Sequence, residues 1–196
     1  MSERALSRVA QVLRLDNVQT RYMFDLARPR GVTIQPRPPD PELVALVDDL
    51  SPLPAYALDR GWTVVARNAA ARAVLGLEIG ESVVEKLFVA PEWRALFENW
   101  DVVARSAAAQ YRASVGGRME YRPDIQRLKT RSEAFARLWD LGAVQGAPLW
   151  IKVIRHPELG RLKLRYAALA IDGGEGMSIS LYTPTDAASR RALQRL

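Results

Sequence analysis

One histidine, His156, and no cysteine occur in the 196 residues. Without a thiol there can be no cysteine nucleophile, no iron–sulfur cluster and no cysteine-held zinc. A single imidazole cannot build a His-rich metal site. His156 precedes Pro157 at a strand end, and no motif sets a serine or carboxylate beside it. It reads as a turn residue whose ring packs or caps, rather than as a general base or ligand. Asp48 and Asp49 are neighbours, and neighbours on a helix diverge by about 100°, so they form a solvated face and not an acid–base dyad. Gly176-Met177-Ser178-Ile179-Ser180 lacks the closing glycine of a nucleophile elbow. No G-x-x-x-x-G-K-[ST] loop occurs. The glycines at 173, 174 and 176 precede a strand rather than a helix, which makes them a turn. The chain reads as a non-enzyme.

What remains is binding chemistry. Trp93, Phe97, Trp100, Ala104, Ala107 and Tyr111 recur at helical spacing between Pro91 and Val115 and predict one helix face. Such a stripe is either packed core or the wall of an apolar pocket. The stripe, Phe135, Trp139, Tyr56 and the apolar faces of five strands must share one small interior, which favours a pocket. A buried acid group needs a cation, and Arg67, Arg155 and Arg165 are candidates. Leu149, Ile151 and Val153 alternate along a strand, and strict alternation puts Arg155 at the mouth of that same apolar face, with Glu158 as its alternative partner.

The elements that position these residues follow from pattern. Leu6, Val9, Ala10, Leu13, Tyr22 and Leu26 predict two helices, about 3–14 and 17–27, broken at Asp16-Asn17. Five of the 12 prolines fall between 29 and 41 and predict a semi-rigid linker. Asp40-Pro41 opens a helix with Leu43, Leu46, Val47 and Leu50 on its apolar face. Strands are predicted at 55–58 and 62–66, joined by Asp59-Arg60-Gly61. Asn68 caps a helix closed by Gly76, and Asp124 and Ser132 are candidate caps for two more. Three period-two runs around 149–154, 161–168 and 177–182 predict an antiparallel meander. The fold class is α+β, an antiparallel five-stranded sheet with a helical block over one face.

Apolar residues make up 48% and charged residues 26%, ordinary for a globular chain. No apolar run is long enough to span a membrane and no signal core opens the chain, so a cytoplasmic protein is expected. The net charge of +6 divides unevenly: residues 1–37 carry +4, residues 188–196 carry +3 and the body carries −1. Any DNA contact is therefore expected at the termini.

Several stretches resemble one family. Pro52-Leu-Pro-Ala-Tyr56 followed by Trp62-Thr-Val-Val-Ala-Arg-Asn68-Ala-Ala is similar to a run in the MmyB-like transcription regulators. So are Leu87-Phe88, Pro91-Glu92, Trp100, Ser132-Glu-Ala-Phe-Ala-Arg-Leu-Trp139 and Arg155-His-Pro-Glu-Leu-Gly160-Arg-Leu-Lys-Leu. The resemblance implies a PAS-like ligand-binding domain over 41–196, behind a linker at 29–40. It further implies that residues 1–28 are the last helices of an XRE-type helix-turn-helix domain, and that the ligand is fatty-acid-like. The recognition helix is not among these residues, so the chain reads as a fragment or as a natural truncation. A histidine that the family usually carries shortly after the Trp139 position is replaced by the stretch Asp140-Leu-Gly-Ala-Val144.

The expected function is effector sensing in a one-component transcriptional regulator. The partner is a small apolar carboxylic acid or similar lipid, held by Tyr56, Trp93, Phe97, Trp100, Tyr111, Phe135, Trp139 and Arg155. No cofactor is expected: haem would need an axial ligand, and His156 in a tight turn is a poor one, while a flavin–cysteine adduct is impossible. DNA is expected to be met only through the missing helix-turn-helix part. The alternative is a dimerisation module with a filled core, and a homodimer is compatible with both readings.

Overall fold

The computed structural model describes residues 3–27, 40–143, 150–172 and 176–196. The proline-rich linker up to residue 39, and Leu149, lie outside the described residues. The chain divides into two compact units, 1–36 with 105–146 and 37–104 with 147–196. In chain order the elements begin with α1 (Glu3–Val12), α2 (Asn17–Ala27) and α3 (Pro41–Asp49). Next come β1 (Ala55–Leu58), β2 (Val64–Arg67), α4 (Ala69–Leu75), α5 (Val83–Val89) and α6 (Pro91–Leu96). Helix α7 (Trp100–Val115) starts in the second unit and continues in the first. After it come α8 (Arg122–Arg131), α9 (Glu133–Asp140), β3 (Trp150–His156), β4 (Gly160–Ala170), β5 (Ser178–Pro184) and α10 (Ala187–Leu193).

The second unit is built on the five-stranded sheet, ordered β2-β1-β5-β4-β3 with every pair antiparallel. This is the α+β, PAS-like plan expected, with its last three strands as a meander. Register sorts the side chains into two faces, because paired residues in antiparallel strands share a face. One face carries Ala55, Ala57, Ala66 and Ile179, packed with Leu43 and Val47 of α3. The other carries Tyr56, Leu162, Leu164, Tyr166, Ser180, Tyr182 and Ile154, all buried. Small residues on the first face let α3 lie close; Leu46 of that helix is exposed rather than packed.

Caps fix the helix starts. The Asp40 side chain accepts from the Glu42 amide at 3.0 Å, and Pro41 begins α3. Ser82, Ser132 and Asp186 cap α5, α9 and α10 in the same way. In the helical unit Asp16 and Gln19 exchange reciprocal bonds at 3.0 and 2.8 Å, the capping box that separates α1 from α2. Only Leu6 and Ala10 of the predicted N-terminal stripe are buried; Val9, Leu13 and Leu26 are exposed. Arg14, at φ 51°, ends that helical run before it can complete the stripe.

Four expectations need correction. The helix predicted from Pro91 to Val115 is broken. Phe97 is extended and bridges to Ile154, the Glu98 amide donates to the Val153 carbonyl at 2.8 Å, and Asn99 bonds both Ile151 and Val153. The segment leaves the helix to pair with the free edge of β3. The second strand starts at Val64, because Trp62 is left-handed at φ 64° and completes the turn after Asp59. Asp124 lies inside α8 and pairs with Arg127 at 3.1 Å instead of capping. The fourth is the face of β3, which pairing with β4 reverses: Lys152 and Ile154 share the inner face, and Ile151 and Arg155 the outer one.

Asn68 binds the sheet unit at one point. Its Oδ1 accepts from the Ala71 amide at 2.9 Å, capping α4, and from the Ala55 amide at 3.1 Å. Its Nδ2 donates to the Leu53 carbonyl at 2.8 Å. The side chain is fully buried. Asn68→Ala loses a cap and orphans the buried Ala55 amide and the half-buried Leu53 carbonyl, and should cost about 2–4 kcal/mol in urea denaturation. Asp40→Ala, which removes an exposed cap, should cost about 1 kcal/mol by the same measurement.

Candidate functional site

The turn between β3 and β4 sets the site. His156 pairs with Gly160, which is left-handed at φ 74°. The His156 Nδ1 accepts from the amides of Glu158 at 3.2 Å and Leu159 at 3.0 Å. Accepting there leaves the hydrogen on Nε2, which donates to the Ala73 carbonyl at 2.9 Å. The ring is thus the cap that closes the hairpin and ties it to α4, with both nitrogens engaged.

That hairpin pairs Ile154 with Leu162, Lys152 with Leu164 and Trp150 with Tyr166. The inward residues of β4 therefore pull Lys152 and Ile154 inward. Ile151 and Arg155 turn outward and are exposed, which reverses the face predicted from Leu149, Ile151 and Val153. Apolar residues occupy both parities of β3, so alternation alone could not decide. Arg155, with two-thirds of its side chain exposed, donates from Nε to Glu98 at 3.2 Å. Arg161 donates to both carboxylate oxygens of Glu98 at 2.9 Å. Hydrogen bonding from Arg161, with Arg155 in support, lowers the Glu98 carboxyl to about 2. Its partner is Glu98 and not Glu158. Of the other candidate cations, Arg67 pairs with Glu78 at 2.7 Å, and Arg165 is exposed on the outer face opposite Ile151.

The inner face instead gathers hydroxyls and one ammonium. Tyr56 and Tyr182 place their hydroxyls 3.4 Å apart, and Tyr166 meets Ser180 at 3.2 Å. The ammonium of Lys152 donates to the Tyr182 hydroxyl at 3.1 Å. It lies 3.6 Å from the Tyr166 ring centroid, 5.0 Å from that of Tyr182 and 5.9 Å from that of Phe97. Burial lowers the Lys152 amine to about 7, and no other cause opposes it. Burial drives all three phenols upward, so they stay neutral around it. Sequence reasoning missed Lys152. The usable signal was the hairpin register: a short turn at 156–160 places residue 152 opposite the inward Leu164.

The expected site residues divide between the two units. In the sheet unit Trp93 stacks edge-on against Phe97 at 5.6 Å and donates to the Leu75 carbonyl at 3.0 Å. Trp100 packs against Phe88, donates to the Leu87 carbonyl at 3.1 Å and carries the Arg94 guanidinium over its ring. Tyr56 belongs to the hydroxyl cluster. In the helical unit Tyr111, Phe135 and Trp139 stack mutually at 5.4–6.4 Å, with Arg112 over Trp139 and bonded to its carbonyl. Arg155 joins none of these groups. Among the described residues no cluster of His, Asp or Glu could hold a metal, and no helix is long and apolar enough to cross a membrane.

A sheet face lined by rings, with a few hydroxyls and one cation at its centre, has the make-up of a small-molecule binding domain. Residues 39–196 match the family model of the MmyB-like transcription regulator ligand binding domain. The chain belongs to that family, a family of regulatory ligand-binding domains and not of enzymes. No curated protein matches it.

The Lys152 amine makes a prediction about the protein itself. Between about pH 7 and pH 10.5 the unfolded chain holds a proton on Lys152 that the folded chain has released. Stability contributed by this group therefore rises with pH across that window. Below about pH 7 both states are protonated and the burial penalty stands in full. The melting temperature of wild type relative to Lys152→Met should climb from pH 7 to pH 9; a flat difference would mean the amine is solvated.

Proposed function

We propose that the domain is the effector-sensing part of a DNA-binding transcriptional regulator and binds a small, largely apolar, fatty-acid-like ligand. The observation that carries this is the inner sheet face, where four hydroxyls converge among buried rings and aliphatic side chains. A core built only for stability gains little from concentrating polar groups there. Membership of a regulator ligand-binding family supports the same reading. Tyr56, Trp93 and Phe97 supply the wall in the sheet unit. In the helical unit, taken by itself, Tyr111, Phe135 and Trp139 form a second aromatic cluster and a separate candidate contact surface. The ligand acts by preferring one of two conformational states, since equal affinity for both would shift nothing.

Delipidated protein exposed to a lipid extract should retain discrete apolar species in native mass spectrometry; a domain that retains none is a filled module. Tyr111→Phe removes only a hydroxyl. Unchanged retention in that variant would exclude Tyr111 as a polar anchor.

DNA recognition is assigned to a helix-turn-helix domain whose last helices α1 and α2 resemble. Arg4 and Arg8 line an open hollow of about 590 Å³ with Ser7, Gln11 and Phe24. This chain alone should bind DNA weakly, with no sequence preference and with steep salt dependence. Tight binding to one sequence over scrambled DNA at physiological salt would overturn that.

A dimerisation role is the second reading. Ile151 and Leu169 are more than half exposed on the outer sheet face. Sedimentation velocity of wild type against Ile151→Lys tests whether that face joins two copies.

A further inference from the structure

We propose that Lys152 is the residue that takes the head group of the ligand, and that this head group is a single carboxylate. The proposal rests on the sensing reading above and adds to it the residue that holds the acid end. The residue sits on the inner face of the edge strand β3, with the rings of Tyr166, Tyr182 and Phe97 around its ammonium. Among the described residues no carboxylate pairs with it, whereas the arginines on the same hairpin, Arg155 and Arg161, share Glu98. The chain thus spends its nearby acid on the outward cations and leaves the inward one without an anion.

The surroundings say what anion would suit. A ring face at 3.6 Å offsets part of the cost of a buried ammonium but carries no net charge. The Tyr182 hydroxyl accepts from the ammonium and lies 3.4 Å from the Tyr56 hydroxyl, so the pair keeps a hydroxyl proton to offer an anion. One cation with neutral hydroxyl donors matches a monoanion that accepts several hydrogen bonds, which is a carboxylate. A phosphate dianion would call for a second cation, and the other one on this face, Arg67 opposite Tyr56, is already paired with Glu78 at 2.7 Å. The rings beyond the ammonium suit the apolar remainder of such an acid.

Titratable groups facing Lys152 are the phenols of Tyr56 from β1, Tyr166 from β4 and Tyr182 from β5. Phe97, between α6 and α7, brings none. On its own strand His156 shares the face but is spent on the Ala73 carbonyl and the turn amides. The phenols are held neutral by burial, so the charge on this face changes with the lysine.

The test uses the full chain and three probes of equal chain length: dodecanoate, dodecanol and methyl dodecanoate. At about pH 6, wild type should bind dodecanoate about tenfold or more tighter than the two neutral probes, the range of a charge-assisted bond. Lys152→Met removes the charge while keeping an unbranched apolar side chain. It should bring dodecanoate down to the affinity of the neutral probes and leave those unchanged. In wild type alone the acid preference should shrink between about pH 6 and pH 9, while the probe's own carboxylate stays ionised. That measurement stands even if the variant does not fold. Neutral probes that bind as tightly as the acid, or an acid preference that survives Lys152→Met, would overturn the head-group assignment and leave the sensing reading intact. Failure of all three probes to bind would overturn both.

Discussion

Closure of the β3–β4 hairpin by His156 decides which residues of this domain can meet a ligand. The imidazole accepts two amides of its own turn and donates to α4, so the turn has one geometry and the strands one register. A slip of one residue would exchange the faces of every side chain on β3. Ile151 and Arg155 would turn inward, and Lys152 and Ile154 outward. The Glu98 pairing would be lost, and Phe97 would no longer bridge to Ile154. The one histidine, which the sequence marks as a turn residue, thus fixes the turn through three hydrogen bonds.

Charge placement follows from that register. Arg155 and Arg161 lie opposite each other on the outer face, where like charges on paired strands repel. Glu98 sits against both and resolves the conflict, and it is brought there because the chain leaves α6 to pair with the β3 edge. The break that interrupts the expected long helix is therefore the device that covers an open strand edge and neutralises the arginine pair. It also carries Phe97 over the inner face, where its ring meets the Lys152 ammonium. One departure from helical geometry serves both faces of the sheet.

The fold was legible where a local rule had a single answer. Asp40-Pro41, Asn68 with Gly76, and Ser132 each mark a helix boundary through a side-chain bond, and all three are in place. The meander was legible because β4 alternates Leu162, Leu164 and Tyr166 with Arg161, Lys163 and Arg165 without ambiguity. What was not legible depended on partners distant in sequence. Both parities of β3 are apolar, so only pairing with β4 tells its faces apart. The periodicity from Trp93 to Tyr111 is real, yet edge pairing outweighs it at Phe97. The stretches that carry the family resemblance turn out to be rich in such staples: Asn68 joins α4 to β1, Ser132 caps α9, and the Arg155–Gly160 run closes the hairpin and pairs with Glu98. Lys152 belongs to none of them, which is why a reading guided by motifs passed it over.

Scaffold and selectivity are thereby separated in the chain. The capped turns and the Asn68 node must hold whatever ligand is present, because they determine the faces of the sheet. The centre of the inner face is free of that duty: Tyr56, Tyr166, Tyr182 and Lys152 bond chiefly to one another and to Ser180. The cost of this arrangement is a buried amine whose charge is marginal at neutral pH. An anion that binds the ammonium favours its protonated form, and by linkage proton uptake favours the anion. If Lys152 holds an acid, ligand binding and proton uptake are therefore coupled at one nitrogen, and each strengthens the other.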